Sequence, residues 1–217
     1  LPPWGGGVWS LACLPGGRGP GNDRMHYAAR TAAIQGETVA AWDLHNRASA
    51  AQSRGEDVIL LSIGDPDFAT PGAITDAAVT ALRSGDTHYA EVEGRRALRA
   101  EIARQQQRRS GQALGADNVI VLAGAQNSLF ATALCLLNPG DEVIVLQPMY
   151  VTYEACIQVA GATLVPVATD PARGFRLDLA ALQAAVSPRT RAIFFASPNN
   201  PSGVVLDAAE LAAIAAL

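Results

Sequence analysis

Apolar residues recur along this chain with two different periods, and the change of period divides it into two parts. Between residues 25 and 111 the spacing is mainly helical and predicts helices over 31–55, 70–85 and 93–111, with a short apolar strand at 57–64. We expect Thr70 to cap the second helix, with Pro71 in its first turn. The third helix is amphipathic, with Leu98 and Ile102 on one face and arginines on the other.

From residue 119 onward, short apolar runs alternate regularly with helical segments. The pattern predicts strands at 119–123, 143–148, 163–168 and 191–197, and helices at 125–137, 150–161 and 178–187. A capping box from Asp207 to Glu210 begins a last helix. Continuously apolar strands that alternate with helices indicate an α/β fold, a three-layer α/β/α arrangement with a mostly parallel sheet covered on both faces.

Composition narrows the classes of function. The 217 residues are 49% apolar, enough for a sizeable core, and the net charge of −4 comes from interspersed acids and bases. Without a basic stripe we expect no nucleic-acid partner, and a small-molecule role is the default. No apolar run reaches the roughly 20 residues that cross a bilayer, so we expect no membrane association.

The cysteines and the N-terminal segment bear on the compartment and on the start of the folded part. Cys13, Cys135 and Cys156 are odd in number and have no CxxC spacing, and the latter two lie in apolar patterns typical of buried thiols. This usage favours a reducing, cytoplasmic location. Residues 1–24 are rich in Gly and Pro and are interpreted as a disordered extension or a start-site artefact, with Met25 as the start.

Two unusual segments follow predicted strands, at the sheet edge where ligands bind in open α/β folds. Residues 124–127, Gly-Ala-Gln-Asn, lead directly into a helix, and free amides at that helix start could hold a phosphate. A tight strand–helix turn without a ligand has the same pattern. Tyr150 follows the next strand, where it could stack on a flat ring or belong to the core.

A third segment, "SPNNPSG", follows the strand at 191–197. Asn199 and Asn200 stand between Pro198 and Pro201, which stiffen the turn around them. A rigidly held amide can donate a hydrogen bond to a ligand oxygen, although an Asx-turn is the alternative. Together the three segments predict one site for a phosphate, a ring and a ring oxygen.

Five motifs now make the sequence recognisable. "SIGDPDF", "THYAEVEG", "AGAQNSLF", "NPGDEVIVLQPMYVTYE" and "SPNNPSG" occur in order across residues 58–205. They resemble the fold-type I, class I and II aminotransferases, which depend on pyridoxal phosphate. "AAWDLHNRA" and "PMYVTYEA" are most similar to the arginine–pyruvate transaminase branch.

The resemblance implies roles for four residues that would bind the cofactor. The backbone amides of Ala125 and Gln126 would hold its phosphate, and position 125 has Ala where many relatives have Gly or Ser. Tyr150 would stack on the pyridine ring. Asn200 would donate a hydrogen bond to the 3-oxygen of that ring.

Two further residues and the assembly are also implied by the resemblance. The backbone of Gly64 would lie against the substrate carboxylate. Tyr89 would reach the cofactor phosphate of a neighbouring subunit, because family active sites form at a homodimer interface. The domains implied are an N-terminal arm and small-domain segment at 25–68 and a cofactor-binding large domain from 69 to 217.

The sequence contains no lysine, since all 16 basic positions are arginine. Transamination needs a lysine amine to hold the cofactor as a Schiff base and to transfer a proton. The resemblance therefore implies an aminotransferase fragment that ends before its catalytic lysine and is inactive alone, acting when complete on an amino acid and a 2-oxo acid. Two alternatives stay open: a lyase of the same fold, and a non-catalytic domain that binds pyridoxal phosphate or an amino acid.

Overall fold

The computed structural model describes residues 27–34, 37–64 and 66–217, so the interpretation of residues 1–24 lies outside it. Eleven helices and strands are named here, with bounds as follows: helices α1 (Arg30–Ala33), α2 (Glu37–Ser53), α3 (Gly72–Arg83), α4 (Arg96–Ser110), α5 (Ala125–Leu136), α6 (Thr152–Val159), α7 (Leu179–Ala185) and α8 (Ala208–Ala215), and strands β1 (Glu142–Gln147), β2 (Thr163–Ala168) and β3 (Thr190–Phe194). Short 3₁₀ turns cover Ala116–Asn118 and Pro171–Arg173.

The three strands form a parallel sheet in the order β2-β1-β3. The central strand β1 is apolar on both sides, and all its residues from 142 to 146 are buried. A strand with two buried faces must be covered by helices on each side, which explains its continuous apolar run. The parallel sheet predicted from the sequence is confirmed for the strands at 143–148, 163–168 and 191–197.

Alternate residues of β1 belong to two separate cores. Val143 and Val145 pack with Ala133 of α5 and with Cys156 and Ile157 of α6. Their neighbours face the other way, towards α7 and α8, in a cluster whose buried members are Ile144, Leu146, Val167, Leu177, Leu182 and Leu206. Because side chains alternate across a strand, one strand supplies both cores and fixes the three-layer arrangement.

Strand β2 is an outer strand of this sheet and contains a proline, Pro166, opposite Val145. The amides of Thr163 and Thr169 donate to carbonyl groups on the β1 side, to Asp141 O and Gln147 O. Amides of even-numbered residues therefore point outward, and Pro166 lies on that outer edge, where its missing N–H costs no ladder bond.

An ion-paired cluster closes the amino end of the sheet. The buried carboxylate of Glu142 accepts from Ser187 Oγ at 2.5 Å and from Arg189 Nε at 2.8 Å. The Ser187 hydroxyl and then the Arg189 guanidinium hold the pKa of Glu142 below its ordinary value. These bonds tie the first residue of β1 to the turn that precedes β3.

The N-terminal helices agree with the sequence in place but not in every detail. The helix predicted over 31–55 is divided between α1 and α2, with residues 35 and 36 outside the described part. Thr70 is not the cap of α3: Pro71 occupies the N-cap position, and no side chain caps the helix. Proline in that position has a fixed φ, here −52°, but no side-chain oxygen that could accept from the first amides of the helix.

Helix α4 buries a face other than the one its apolar residues predict. Leu98 and Ile102 are exposed, whereas Arg99 is 7% exposed and packs inward together with Ala103. Arg99 Nε donates to Gly94 O at 2.9 Å and Nη1 to Ala116 O at 3.0 Å. The buried guanidinium is hydrogen-bonded to carbonyl groups of the two segments that precede and follow the helix in sequence.

Two predicted strands and one predicted buried thiol are wrong. Residues 57–64 and 119–123 form no strand; Val119 is extended, but the amide of Val121 donates to the loop carbonyl of Glu93 instead of a strand partner. An extended segment becomes a strand only when another strand pairs with it. Cys156 is buried as expected, and burial raises the pKa of its thiol, but Cys135 is exposed. No helix in the described part of the chain has the length and hydropathy to span a bilayer.

Candidate functional site

The start of α5 offers free backbone donors at the edge of the sheet. Gly124 precedes the helix with a φ of +87°, a left-handed conformation that glycine adopts without strain. The first bond into the helix runs from Ser128 N to Gly124 O, so the amides of Ala125, Gln126 and Asn127 come before it. Among the residues that the structure describes, no side chain caps this end. Three free amides at the positive end of a 12-residue helix suit an anion.

Tyr150 lies just beyond the carboxyl end of β1 and is held from two directions. Its hydroxyl accepts a hydrogen bond from Gln126 Nε2 at 2.9 Å. Its ring meets Tyr153 edge to face, with centroids 5.8 Å apart, and Tyr153 in turn meets Phe194 of β3 at 5.7 Å. Burial, and secondarily the neighbouring Tyr150, raise the pKa of Tyr153, which is therefore a neutral core aromatic. The half-buried Tyr150 is thus joined to the start of α5.

The turn after β3 is closed by Asn199. Its backbone amide donates to Val204 O, and its carbonyl accepts from Gly203 N, both at 2.8 Å. Its side-chain Nδ2 donates to Ser202 Oγ at 2.8 Å and to Pro148 O at 3.0 Å. Asn200 is exposed next to this closed turn. An Asx-turn would need the side-chain oxygen of Asn199 to accept from a backbone amide, whereas the side-chain bonds of Asn199 described here are both donated by Nδ2. The side chain of Asn200 is left exposed.

A second set of bonds, made by Arg176, holds the residues that directly follow this turn. Arg176 donates to Val205 O at 3.1 Å and to Asp207 Oδ2 at 2.6 Å, and it also pairs with the buried Glu210. The predicted capping box of α8 is confirmed: Glu210 N donates to Asp207 Oδ1, and Asp207 N donates to Glu210 Oε2, each at 2.9 Å. The amide of Glu210, followed by the charge of Arg176, holds the pKa of Asp207 below its ordinary value.

The structure brings together four of the six residues singled out from the sequence. Ala125 and Gln126 are joined to Tyr150 through the Gln126 side chain, and Tyr150 is joined to the Asn200 turn through Pro148 and Asn199. Sequence reasoning missed both links. Their partners are 24 and 51 residues apart, and no local pattern marks such pairs.

Gly64 and Tyr89 stand apart from this group. Gly64 is exposed, and no atom of the described residues beyond its chain neighbours lies within 4 Å of the position a Cβ would take. Tyr89 is fully exposed, and within the described residues no hydrogen bond or ring contact ties it to the other four. Tyr89 belongs to the loop 86–95. The two ends of this loop are held together by a bidentate ion pair between Arg95 and Asp86, with distances of 2.5 and 2.6 Å.

Close packing fixes the other side of the Tyr89 loop. A Cβ on Gly94 would come within 2.7 Å of the Val121 side chain, and the φ of Gly94 is +97°, so only glycine fits. The same contact places the loop beside the segment that leads into α5. Tyr89 therefore projects into solvent from an anchored loop.

The donor chemistry of the group distinguishes between kinds of ligand. In the described part of the chain no cluster of three or more His, Cys, Asp or Glu side chains could hold a metal ion. The group instead offers free amides, an aromatic face and a side-chain amide. This combination fits an anionic, flat ligand with a ring oxygen or carbonyl.

Comparisons with known proteins agree with this chemistry. The profile of the aminotransferase class I and II family matches residues 56–217. The chain is 53% identical over 193 residues to the arginine–pyruvate transaminase AruH of Pseudomonas aeruginosa, covering 89% of this chain and 49% of that protein. It is 38% identical over 164 residues to an aspartate aminotransferase of Rhizobium meliloti, covering 76% of this chain and 40% of the relative.

Solved structures show the same relation. An aspartate aminotransferase from Thermus thermophilus with maleate superposes with a TM-score of 0.82 at 36% identity, over 89% of this chain and 50% of that one. An alanine aminotransferase from Pyrococcus furiosus gives 0.81 at 29% identity, over 87% and 48%. The expected fold class, the α/β/α layers of a fold-type I aminotransferase, is confirmed.

The chain spans about half the length of these relatives. Within that half, the profile match covers most of the chain, and the sheet and helices superpose on solved aminotransferases. The chain belongs to the class I and II aminotransferase family.

Proposed function

We propose that the complete protein is a pyridoxal-phosphate-dependent aminotransferase that moves an amino group between an amino acid and a 2-oxo acid. The chain described here supplies the non-covalent part of its cofactor site. The observation that carries the proposal is the linked group at the sheet edge: free amides at the start of α5, the ring of Tyr150 bonded to Gln126, and the turn that exposes Asn200.

The parts of the cofactor match the donors of this group one by one. The amides of Ala125 and Gln126 would bind the phosphate, since they precede the first helical bond and have no cap. Tyr150 would stack on the pyridine ring, and the exposed amide of Asn200 would donate to the 3-oxygen. When bound, pyridoxal phosphate supplies an electron-withdrawing ring that stabilises negative charge on the substrate.

Tyr89 and Gly64 fit the proposal only in an assembled and complete enzyme. Tyr89 projects fully exposed from an anchored loop, which suits a contact to the phosphate in the second subunit of a homodimer. The exposed backbone of Gly64 is free to lie against a substrate carboxylate. We assign Gly64 to an N-terminal arm and small-domain segment at 25–68, and the linked group at the sheet edge to a large domain at 69–217.

The amine that holds the cofactor covalently is supplied from outside these 217 residues, which contain no lysine. Borohydride reduction after incubation with pyridoxal phosphate tests this point by mass spectrometry. The 217-residue chain should gain no adduct except at its α-amine, whereas the full-length gene product should gain one on a lysine. An internal adduct on the short chain would contradict the assignment.

Arginine and pyruvate are the substrates we favour. The support is the 53% identity to an arginine–pyruvate transaminase, against 38% to an aspartate aminotransferase. Full-length protein loaded with cofactor should form alanine from arginine and pyruvate faster than glutamate from aspartate and 2-oxoglutarate. The reverse order would reject arginine while keeping the transaminase, and release of ammonia without consumption of the 2-oxo acid would indicate the lyase alternative.

A further inference from the structure

Asn199 joins two loops that the proposed function uses separately. Strands β1 and β3 are adjacent and parallel, so their carboxyl ends emerge side by side. The loop after β1 carries Tyr150, and the loop after β3 carries Asn200. The bond from Asn199 Nδ2 to Pro148 O, at 3.0 Å, crosses between these loops over 51 residues of sequence.

The orientation of Asn199 is itself determined by its turn. Its amide and carbonyl are both used, by Val204 O and Gly203 N, so its backbone has little freedom. Because Asn200 is the next residue, fixing the backbone of Asn199 also restricts where the backbone of Asn200 can lie. Asn199 and Pro148 are both half-buried, so water competes weakly for the bond between them.

We propose that Asn199 is a positioning residue that sets the distance between the ring of Tyr150 and the amide of Asn200. This inference rests on the proposed function. With both groups fixed before the ligand arrives, the site loses less conformational freedom on binding. Asn199 acts through its neighbours and needs no contact with the cofactor.

Ser202 provides a matched control inside the same turn. Its hydroxyl accepts from Asn199 Nδ2 at 2.8 Å and has no bond to the loop of Tyr150. Ser202→Ala therefore weakens the turn while keeping the bridge. Asn199→Ser keeps a short polar group for the turn but cannot span to Pro148 O, and Asn199→Asp is isosteric but replaces the donor with an acceptor.

The test uses the full-length protein and two readouts besides turnover: the dissociation constant for pyridoxal phosphate by equilibrium dialysis, and the pH midpoint of the bound cofactor's absorbance. Both Asn199 variants should bind roughly fivefold more weakly, the net effect of one hydrogen bond of about 1 kcal/mol. The pH midpoint of the cofactor's absorbance should rise in both Asn199 variants, as it should in Asn200→Ala. A well-placed donor to the ring oxygen favours the deprotonated state of the bound cofactor, so losing that donor moves the midpoint to higher pH. Ser202→Ala should stay within about twofold of the wild type.

Each outcome decides between the two proposals. If Asn199→Ser behaves like Ser202→Ala while Asn200→Ala still weakens binding, Asn199 is only a turn residue and the inference is wrong. If the wild type does not bind pyridoxal phosphate, or Asn200→Ala changes nothing, the proposed function fails instead. Loss of the folded state in both Asn199 variants, seen in thermal melting, would make Asn199 a folding residue and overturn its positioning role.

Discussion

Removing the hydroxyl of Tyr150 tests how its ring is held. Tyr150→Phe keeps the aromatic face that would stack on the cofactor and deletes only the acceptor for Gln126 Nε2, which lies 2.9 Å away. Gln126→Met removes the donor from the other side and leaves the backbone amide of residue 126 in place. The double variant completes a thermodynamic cycle.

The expected magnitude follows from the kind of bond. It is a neutral hydrogen bond on a half-buried ring, so its net free energy is about 0.5–1.5 kcal/mol. Without this bond, the ring at position 150 must be ordered when the cofactor binds, and ordering a side chain costs a similar free energy, roughly 0.5–1.5 kcal/mol. Each single variant should therefore bind pyridoxal phosphate about 2- to 12-fold more weakly.

The cycle is measured as dissociation constants in full-length protein. Because both single variants break the same bond, the double variant should bind no more weakly than either one. Tyr150→Ala is the positive control and should lose more, since it also removes the stacking face. If the effects of the single variants simply add, the two groups act independently, and the reasoning that Gln126 orients Tyr150 is refuted.

Two further predictions concern stability. Ile144→Ala deletes three carbons from a residue that is 0% exposed, so the free energy of unfolding in urea should fall by about 2–5 kcal/mol, and a loss below about 1 kcal/mol would contradict its place in the core. The control Ile74→Ala, at a residue 61% exposed, should change it by less than about 0.5 kcal/mol. Glu142→Gln should lower the melting temperature at neutral pH. Since the folded pKa of Glu142 is depressed by Ser187 and Arg189, its contribution is complete above the ordinary glutamate pKa of about 4.3 and is lost as the pH falls through the folded pKa. A difference between the two proteins that persists in acid would contradict that ion-pair account.

The second half of the fold could be predicted from the sequence because its signals are local. Apolar runs such as 143–148 and the capping box that begins at Asp207 act within a few residues, and the structure has a strand and a helix where they indicate. The errors arose where a distant partner decides. Residues 119–123 have the composition of a strand, but the Val121 amide donates to the carbonyl of Glu93.

Arg99 and Asn199 show the same limit at the level of single side chains. A buried arginine on a helix that also carries Leu98 and Ile102 is contrary to the apolar pattern, and carbonyl groups at residues 94 and 116 explain it. At the site, four of the six residues singled out from the motifs lie in one linked group, and Gly64 and Tyr89 lie outside it. The motifs could not predict that Asn199 bonds to Pro148, since that bond depends on the parallel alignment of β1 and β3.

Because of Pro166, the two edges of the sheet differ in how well they can pair with a further strand. An exposed strand edge is a template on which a foreign strand can add, and such addition leads to aggregation. The outer edge of β2 lacks one donor midway along its length, because Pro166 lies opposite Val145 with its nitrogen facing outward. A strand that pairs with β2 would therefore lack one backbone hydrogen bond, at Pro166. The free edge beside β3 is the edge at which a further strand can be added without that loss.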